Sequence, residues 1–151
     1  MTAEEMMAQA LEQAYLALEE GETPVGCVIA KQGQIIARGR NRRERDKDPT
    51  AHAEMEAIRT AARVTGDWRL TGCEMYVTLE PCPMCAGAIV QARLDRVVYG
   101  AADPRQGCAG SIYRLTEDPA FTHFCPADGG VMEKECREVL EAFFKRARQG
   151  R

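Results

Sequence analysis

Met7, Leu11, Ala14 and Leu18 recur at helical spacing near the start of the chain. That stripe predicts a helix from about Ala3 to Glu20, terminated at Gly21. Pro24 releases an extended run, Val25 to Ala30. Gln32-Gly33-Gln34 then turns the chain into a second arm, Ile35 to Gly39, so the pair reads as a β-hairpin. Asn41 to Pro49 is polar and without periodicity, a loop. Thr50 is the expected N-cap of a second helix, with Met55, Ala57, Ile58, Ala61 and Ala62 as its apolar positions and an end near Val64. Cys73 to Leu79 reads as a third strand, stopped by Pro81. Cys82 to Ala92 has the small residues (Ala86, Gly87, Ala88) of a closely packed helix. Arg96 to Gly100 is a fourth strand, followed by a long loop, Ala101 to Gly110, and a turn of helix near Ser111 to Leu115. Asp118 to Gly130, with two prolines and a Gly-Gly pair, is expected to be irregular with a short fifth strand nearby. The last helix, about Met132 to Arg148, puts Cys136, Val139, Leu140, Phe143, Phe144 and Ala147 on one stripe. Helices alternating with strands imply a layered α/β fold in which helices cover a central sheet. No repeat or linker divides the chain, so residues 1–151 are read as one domain.

Composition narrows the setting. The 151 residues are 45% hydrophobic and 28% charged, as in ordinary globular proteins. No apolar run approaches the length that crosses a bilayer. The opening MTAEEMMAQALEQAYLALEE is acidic and amphipathic, unlike a secretion signal, so a cytoplasmic location is expected. The cysteines number seven, an odd count that argues against a disulfide framework. Cys27, Cys73 and Cys136 sit in apolar patterns and read as small buried hydrophobes. Cys108 and Cys125 lie in loops and carry no assigned role. Net charge is −3, mildly against a nucleic-acid partner. Two basic clusters complicate that reading: Arg38, Arg40, Arg42, Arg43, Arg45 and Lys47, and the closing Lys145, Arg146, Arg148 and Arg151. Solvated surface is the ordinary explanation of such runs; the motifs decide the question.

Two short clusters carry chemistry: His52-Ala53-Glu54 and Pro81-Cys82-Pro83-Met84-Cys85. One imidazole and two cysteines three apart supply three ligands to a zinc ion and leave the fourth tetrahedral position for water. Mixed sulfur and nitrogen ligation favours zinc over other divalent ions. Cys82 can occupy an N-cap with Pro83 at the first helical position, which places both sulfurs at the positive end of a helix dipole and favours thiolates. His52 and Glu54 are two apart, so both reach one site only where the helix is just beginning. There Glu54 is placed to exchange protons with a metal-activated water. His123 has no such context and reads as a surface or packing residue. A thioredoxin-like CxxC would leave His52 and Glu54 unexplained, and a zinc ribbon would need a second CxxC.

H-x-E followed by P-C-x-x-C is the known signature of zinc nucleobase deaminases. On these motifs the chain resembles the cytidine-deaminase-like superfamily, and within it the bacterial tRNA-specific adenosine deaminases. The resemblance runs nearly end to end. It takes in Gly21-Glu22-Thr23-Pro24-Val25-Gly26, Asp48-Pro49-Thr50-Ala51-His52-Ala53-Glu54, Thr78-Leu79-Glu80-Pro81-Cys82, Gly107-Cys108-Ala109-Gly110-Ser111 and Phe143-Phe144-Lys145.

It implies a three-layer α/β/α fold with a mixed five-stranded sheet, one Zn²⁺ per subunit, a homodimer, and conversion of adenosine to inosine at the wobble position of a tRNA anticodon. It also implies that Asn41 contacts the base, that Asp103 lies beside the target nucleotide's sugar, and that Phe144 and Arg148 meet the anticodon stem-loop. Apart from the resemblance, Asn41 reads as a turn residue and Phe144 equally well as core. Asp103-Pro104-Arg105-Gln106 departs from the lysine-bearing loops common in the family, leaving Arg105 as the candidate phosphate contact. The metal motifs suit two other readings: a small-molecule deaminase, guanine deaminase in particular, and a non-enzymatic RNA-binding scaffold with structural zinc. Glu54 counts against the scaffold, since a structural site has no use for it.

Overall fold

The computed structural model describes residues 1–150. Its strands are β1 (Gly26–Lys31), β2 (Gln34–Arg40), β3 (Cys73–Leu79), β4 (Arg96–Ala101) and β5 (Ala127–Asp128), in the sheet order β2-β1-β3-β4-β5. β1 runs antiparallel to both β2 and β3, whereas β3, β4 and β5 are mutually parallel. The sheet is mixed because a hairpin turn joins β1 to β2, helical crossovers join β2 to β3 and β3 to β4, and a long loop with one 3₁₀ turn leads from β4 to β5.

Alternation along the strands produces two cores. Cys27 and Ile29, Met75 and Val77, and Val97 face one side, where Ala53, Ala57 and Ala61 of α3 (Ala53–Thr65) and Ile89 of α4 (Pro83–Gln91) cover them. Val28 and Ala30, Tyr76, and Val98 face the other side, under α1 (Ala3–Glu19) and α5 (Glu133–Gln149). Helices therefore close both faces, the three-layer α/β/α arrangement, and β1 is buried at every position up to Lys31. No described helix is long and apolar enough to cross a membrane.

One glycine fixes how α3 meets the sheet. A Cβ on Gly39 of β2 would run into the Ala53 carbonyl oxygen and lie 2.8 Å from the Ala57 nitrogen. The first turn of α3 therefore rests directly on the backbone of β2, and that turn carries His52 and Glu54.

Three expectations need correction. Thr50 is not the N-cap of α3: its N–H and hydroxyl both donate to Asp48 Oδ1, at 2.8 and 2.7 Å. The nearby carboxylate holds Thr50 in a turn, in which the Ala51 N–H donates to the Asp48 carbonyl at 3.2 Å, and His52 (φ −80°, ψ 156°) occupies the cap. The polar segment after Asn41 holds one helical turn, α2 (Arg43–Asp46). Buried Glu22 accepts from the N–H groups of Glu44 and Arg45, a long-range partner with no local signature. The turn expected at Ser111 to Leu115 falls later, as a 3₁₀ turn at Leu115–Glu117.

Candidate active site

Two helix starts build the site. His52 precedes the first residue of α3, so its ring leaves the helix axis, while Glu54 stands in the first turn beside it. Cys82 caps α4 with extended backbone (φ −73°, ψ 175°), Pro83 follows at the first helical position, and Cys85 lies one turn on. His52 Nδ1 stands 3.6 Å from Cys82 Sγ and 3.5 Å from Cys85 Sγ. All three donor atoms fall within 4.8 Å of one another. Tetrahedral zinc with ordinary Zn–N and Zn–S bonds would separate nitrogen from sulfur by roughly 3.6 Å and sulfur from sulfur by roughly 3.8 Å. The observed spacings fit that ion, with Nδ1 as the ligating nitrogen.

Protonation follows from the same proximity. Hydrogen bonding from Cys85 and His52 draws the Cys82 thiol down to about 4. Cys85, which donates to it and is buried, holds its proton more firmly of the two. The thiolate beside it raises the His52 imidazole above its ordinary value. Burial pushes the Glu54 carboxyl up to about 7, and the negative charge on Cys82 adds to this. A carboxyl poised near neutrality can both accept and return a proton, as general acid–base work requires.

These groups lie at the floor of a cleft of about 800 Å³. Every residue assigned a site role from the sequence borders it except Cys85, which is fully buried. Asn41 stands on one wall with its Oδ1 accepting from the Arg43 N–H at 3.1 Å, which leaves its NH₂ available to a ligand. Asp103 also lines the cleft, its Oδ1 accepting from the N–H groups of Arg105 and Gln106. Phe144 and Arg148 line the cleft from α5, and Phe144 is 50% exposed there, a rim residue and not core.

Of the described members of the two basic clusters, Arg43 and Arg148 reach the cleft, as does Arg105 from the loop after β4; Arg151 lies outside the described residues. Arg40 is instead engaged by Glu20 at 2.8 Å. Cys108 is buried, with its N–H donating to the Pro81 carbonyl, and Cys125 is also buried. His123 is a packing residue, its Nε2 2.6 Å from the Leu94 carbonyl. Thr23, Val25 and Glu80 also line the cleft and were not singled out from the sequence. The available signal was their place inside the Gly-Glu-Thr-Pro-Val-Gly and Thr-Leu-Glu-Pro-Cys segments.

Residues 1–101 match the model of the cytidine and deoxycytidylate deaminase zinc-binding region. The chain belongs to that family. Its zinc ligation fits His52, Cys82 and Cys85, the one His/Cys/Asp/Glu cluster with metal-binding spacing among the described residues. The chain is 47% identical to a tRNA-specific adenosine deaminase of Bacillus subtilis, over 99% of this chain and 93% of the relative. It is 43% identical to another of that description from Aquifex aeolicus, over 98% and 97% respectively. A solved structure from a study of A-to-I editing by tRNA:A34 deaminases at the wobble position superposes with a TM-score of 0.86 at 43% identity, covering 89% of this chain and 98% of that one. A guanine deaminase from Bacillus subtilis matches at 45% identity with a TM-score of 0.65, over 68% of this chain and 66% of that one.

Proposed function

We propose that this deaminase converts adenosine to inosine at the wobble position of a tRNA anticodon by zinc-dependent hydrolysis. The observation that carries the reading is the floor of the cleft: three donors at tetrahedral zinc spacing, with the buried Glu54 carboxyl beside them. When bound, zinc supplies Lewis acidity, lowering the pKa of a water at the open position. Glu54 accepts a proton from the water that attacks C6 of the purine and delivers it to the ring nitrogen. It then carries the second proton to the departing amine. Water is consumed and ammonia released, leaving a carbonyl on the ring.

The walls support a polynucleotide substrate. Asn41 offers a donor to the base, while Arg43, Arg105 and Arg148 bring positive charge to the rim where phosphates would run. Phe144, half exposed at that rim, suits stacking on a splayed loop base. The near full-length kinship with tRNA-specific adenosine deaminases supports the same substrate. We further infer a cytoplasmic homodimer. Trp68, Tyr113, Phe121 and Phe124 are large apolar side chains left exposed to solvent, the kind of residue that association would cover.

Deamination of free guanine is the second reading, favoured by the likeness to the guanine deaminase structure. Zinc-loaded protein offered an anticodon stem-loop, guanine and cytidine separates the two. Ammonia release from the stem-loop, with sequencing that reads inosine at the wobble position, is the expected result. Turnover of guanine alone would overturn it.

A further inference from the structure

Glu80 is a carboxylate only 2% exposed that the proton transfers above leave unused. It stands between the end of β3 and the Pro81-Cys82 start of α4. Its oxygens are satisfied by a single loop. Oε1 accepts from the Asp103 N–H at 2.9 Å and from the Ser111 hydroxyl; Oε2 accepts from the N–H groups of Ala109 and Ser111 at 3.1 and 2.9 Å. Residues 102–111 are thus wound around one negative charge. The winding is tight, because a Cβ on Gly107 would run into the Glu80 carboxylate itself. Two backbone bonds lock the same loop to the strand end: Glu80 N–H to the Ala101 carbonyl at 2.9 Å, and Cys108 N–H to the Pro81 carbonyl at 2.8 Å.

Hydrogen bonds to a buried charge are stronger than neutral ones, and an unmade one leaves a desolvated group without a partner. The loop is therefore held as a unit, and the constraint passes on through Asp103, whose Oδ1 fixes the turn into Arg105 and Gln106.

We propose that Glu80 is a positioning residue for substrate recognition, holding residues 102–111 as a rigid wall so that Asp103 and Arg105 stand at a fixed distance from the reacting base. The inference rests on the reading of the cleft as an RNA-deaminase site. It assigns to Glu80 the register between a nucleotide's base, lodged over Glu54, and its sugar and phosphate, lodged against the loop. A substrate with a sugar-phosphate backbone depends on that register.

Glu80→Gln keeps the size of the side chain and turns one acceptor into an NH₂ that faces N–H donors. Ser111→Ala removes only the hydroxyl donor, at an exposed position. Zinc-loaded variants are assayed on an anticodon stem-loop. KM rises about tenfold for Glu80→Gln and about threefold for Ser111→Ala, with kcat within about twofold and zinc content unchanged. Hydrogen exchange at the Asp103, Ala109 and Ser111 amides accelerates while α3 and α4 keep their protection. Faster loop exchange with unchanged KM overturns the proposal, as does a loss of zinc and kcat at steady KM. Should Glu80→Gln not fold, Ser111→Ala decides by the same two readouts. Stem-loop turnover by the wild type tests the functional reading separately. Were it absent, the KM comparison moves to the substrate that is turned over, and unchanged KM there, or unaltered loop exchange, sinks the inference.

Discussion

Replacing Gly39 by alanine tests whether the geometry of the metal site is set by how closely α3 rests on β2. The added methyl would meet the Ala53 carbonyl oxygen and stand 2.8 Å from the Ala57 nitrogen and 3.0 Å from Glu56 Cβ. Two of these neighbours are backbone and cannot swing aside. Favourable contact begins near 3.5 Å, so the first turn of α3 has to back away by roughly 0.7 Å or more. Metal–ligand distances tolerate deviations of only about 0.2 Å. A shift of that size moves His52 relative to Cys82 and Cys85, now 3.6 and 3.5 Å from its Nδ1, beyond what one ion accommodates. Overpacking is expected to lower stability by about 1–3 kcal/mol, and zinc affinity should fall roughly 10- to 100-fold. Competition titration against a chromophoric chelator measures the second effect, and urea unfolding of zinc-free protein measures the first. If Gly39→Ala binds zinc as tightly as the wild type, the claim that this contact holds the ligands in place is wrong, whatever its effect on stability.

Glu54→Ala should keep stoichiometric zinc and lose turnover by about 10²- to 10⁴-fold, read by metal analysis and ammonia release; undiminished turnover would remove Glu54 from the chemistry. Phe144→Ala and Arg148→Ala should each raise KM for an anticodon stem-loop, with Arg148→Ala also flattening its salt dependence; KM values equal to the wild type's would place neither side chain against RNA. Hydrogen bonding from Arg40 holds the Glu20 carboxyl below its ordinary value, so its stabilising effect is full above the unfolded pKa and is lost as pH falls through the folded one. The stability gap between wild type and Glu20→Gln in urea unfolding should therefore be present at neutral pH and close below about pH 4.5, a small effect at a part-exposed pair; a gap that widens in acid contradicts the ion-pair reading.

Locally encoded features were legible in the sequence. Strand and helix periodicities gave the element order, because a side chain's face repeats every two or about 3.6 residues whatever lies opposite. The Cys82-Pro83 cap was legible because proline lacks an N–H, and that is a property of the residue. The metal triad was legible because ligand chemistry restricts which residue types serve.

Only the tertiary structure decided the rest. Thr50 has a capping side chain, but Asp48 took its hydroxyl and His52 became the cap. The single turn α2 exists because Glu22, distant in sequence, satisfies its first N–H groups. Glu80 stood in the sequence only as part of the Thr-Leu-Glu-Pro-Cys segment, and its hydrogen-bond partners became visible once the loop carrying Asp103 closed around it. Phe144 fitted core and rim equally until α5 was docked against the sheet. Hydrogen bonds between distant segments carry no signature in composition or period. A buried carboxylate takes whichever donors the fold brings to it, so its partners are known only when the chain has closed.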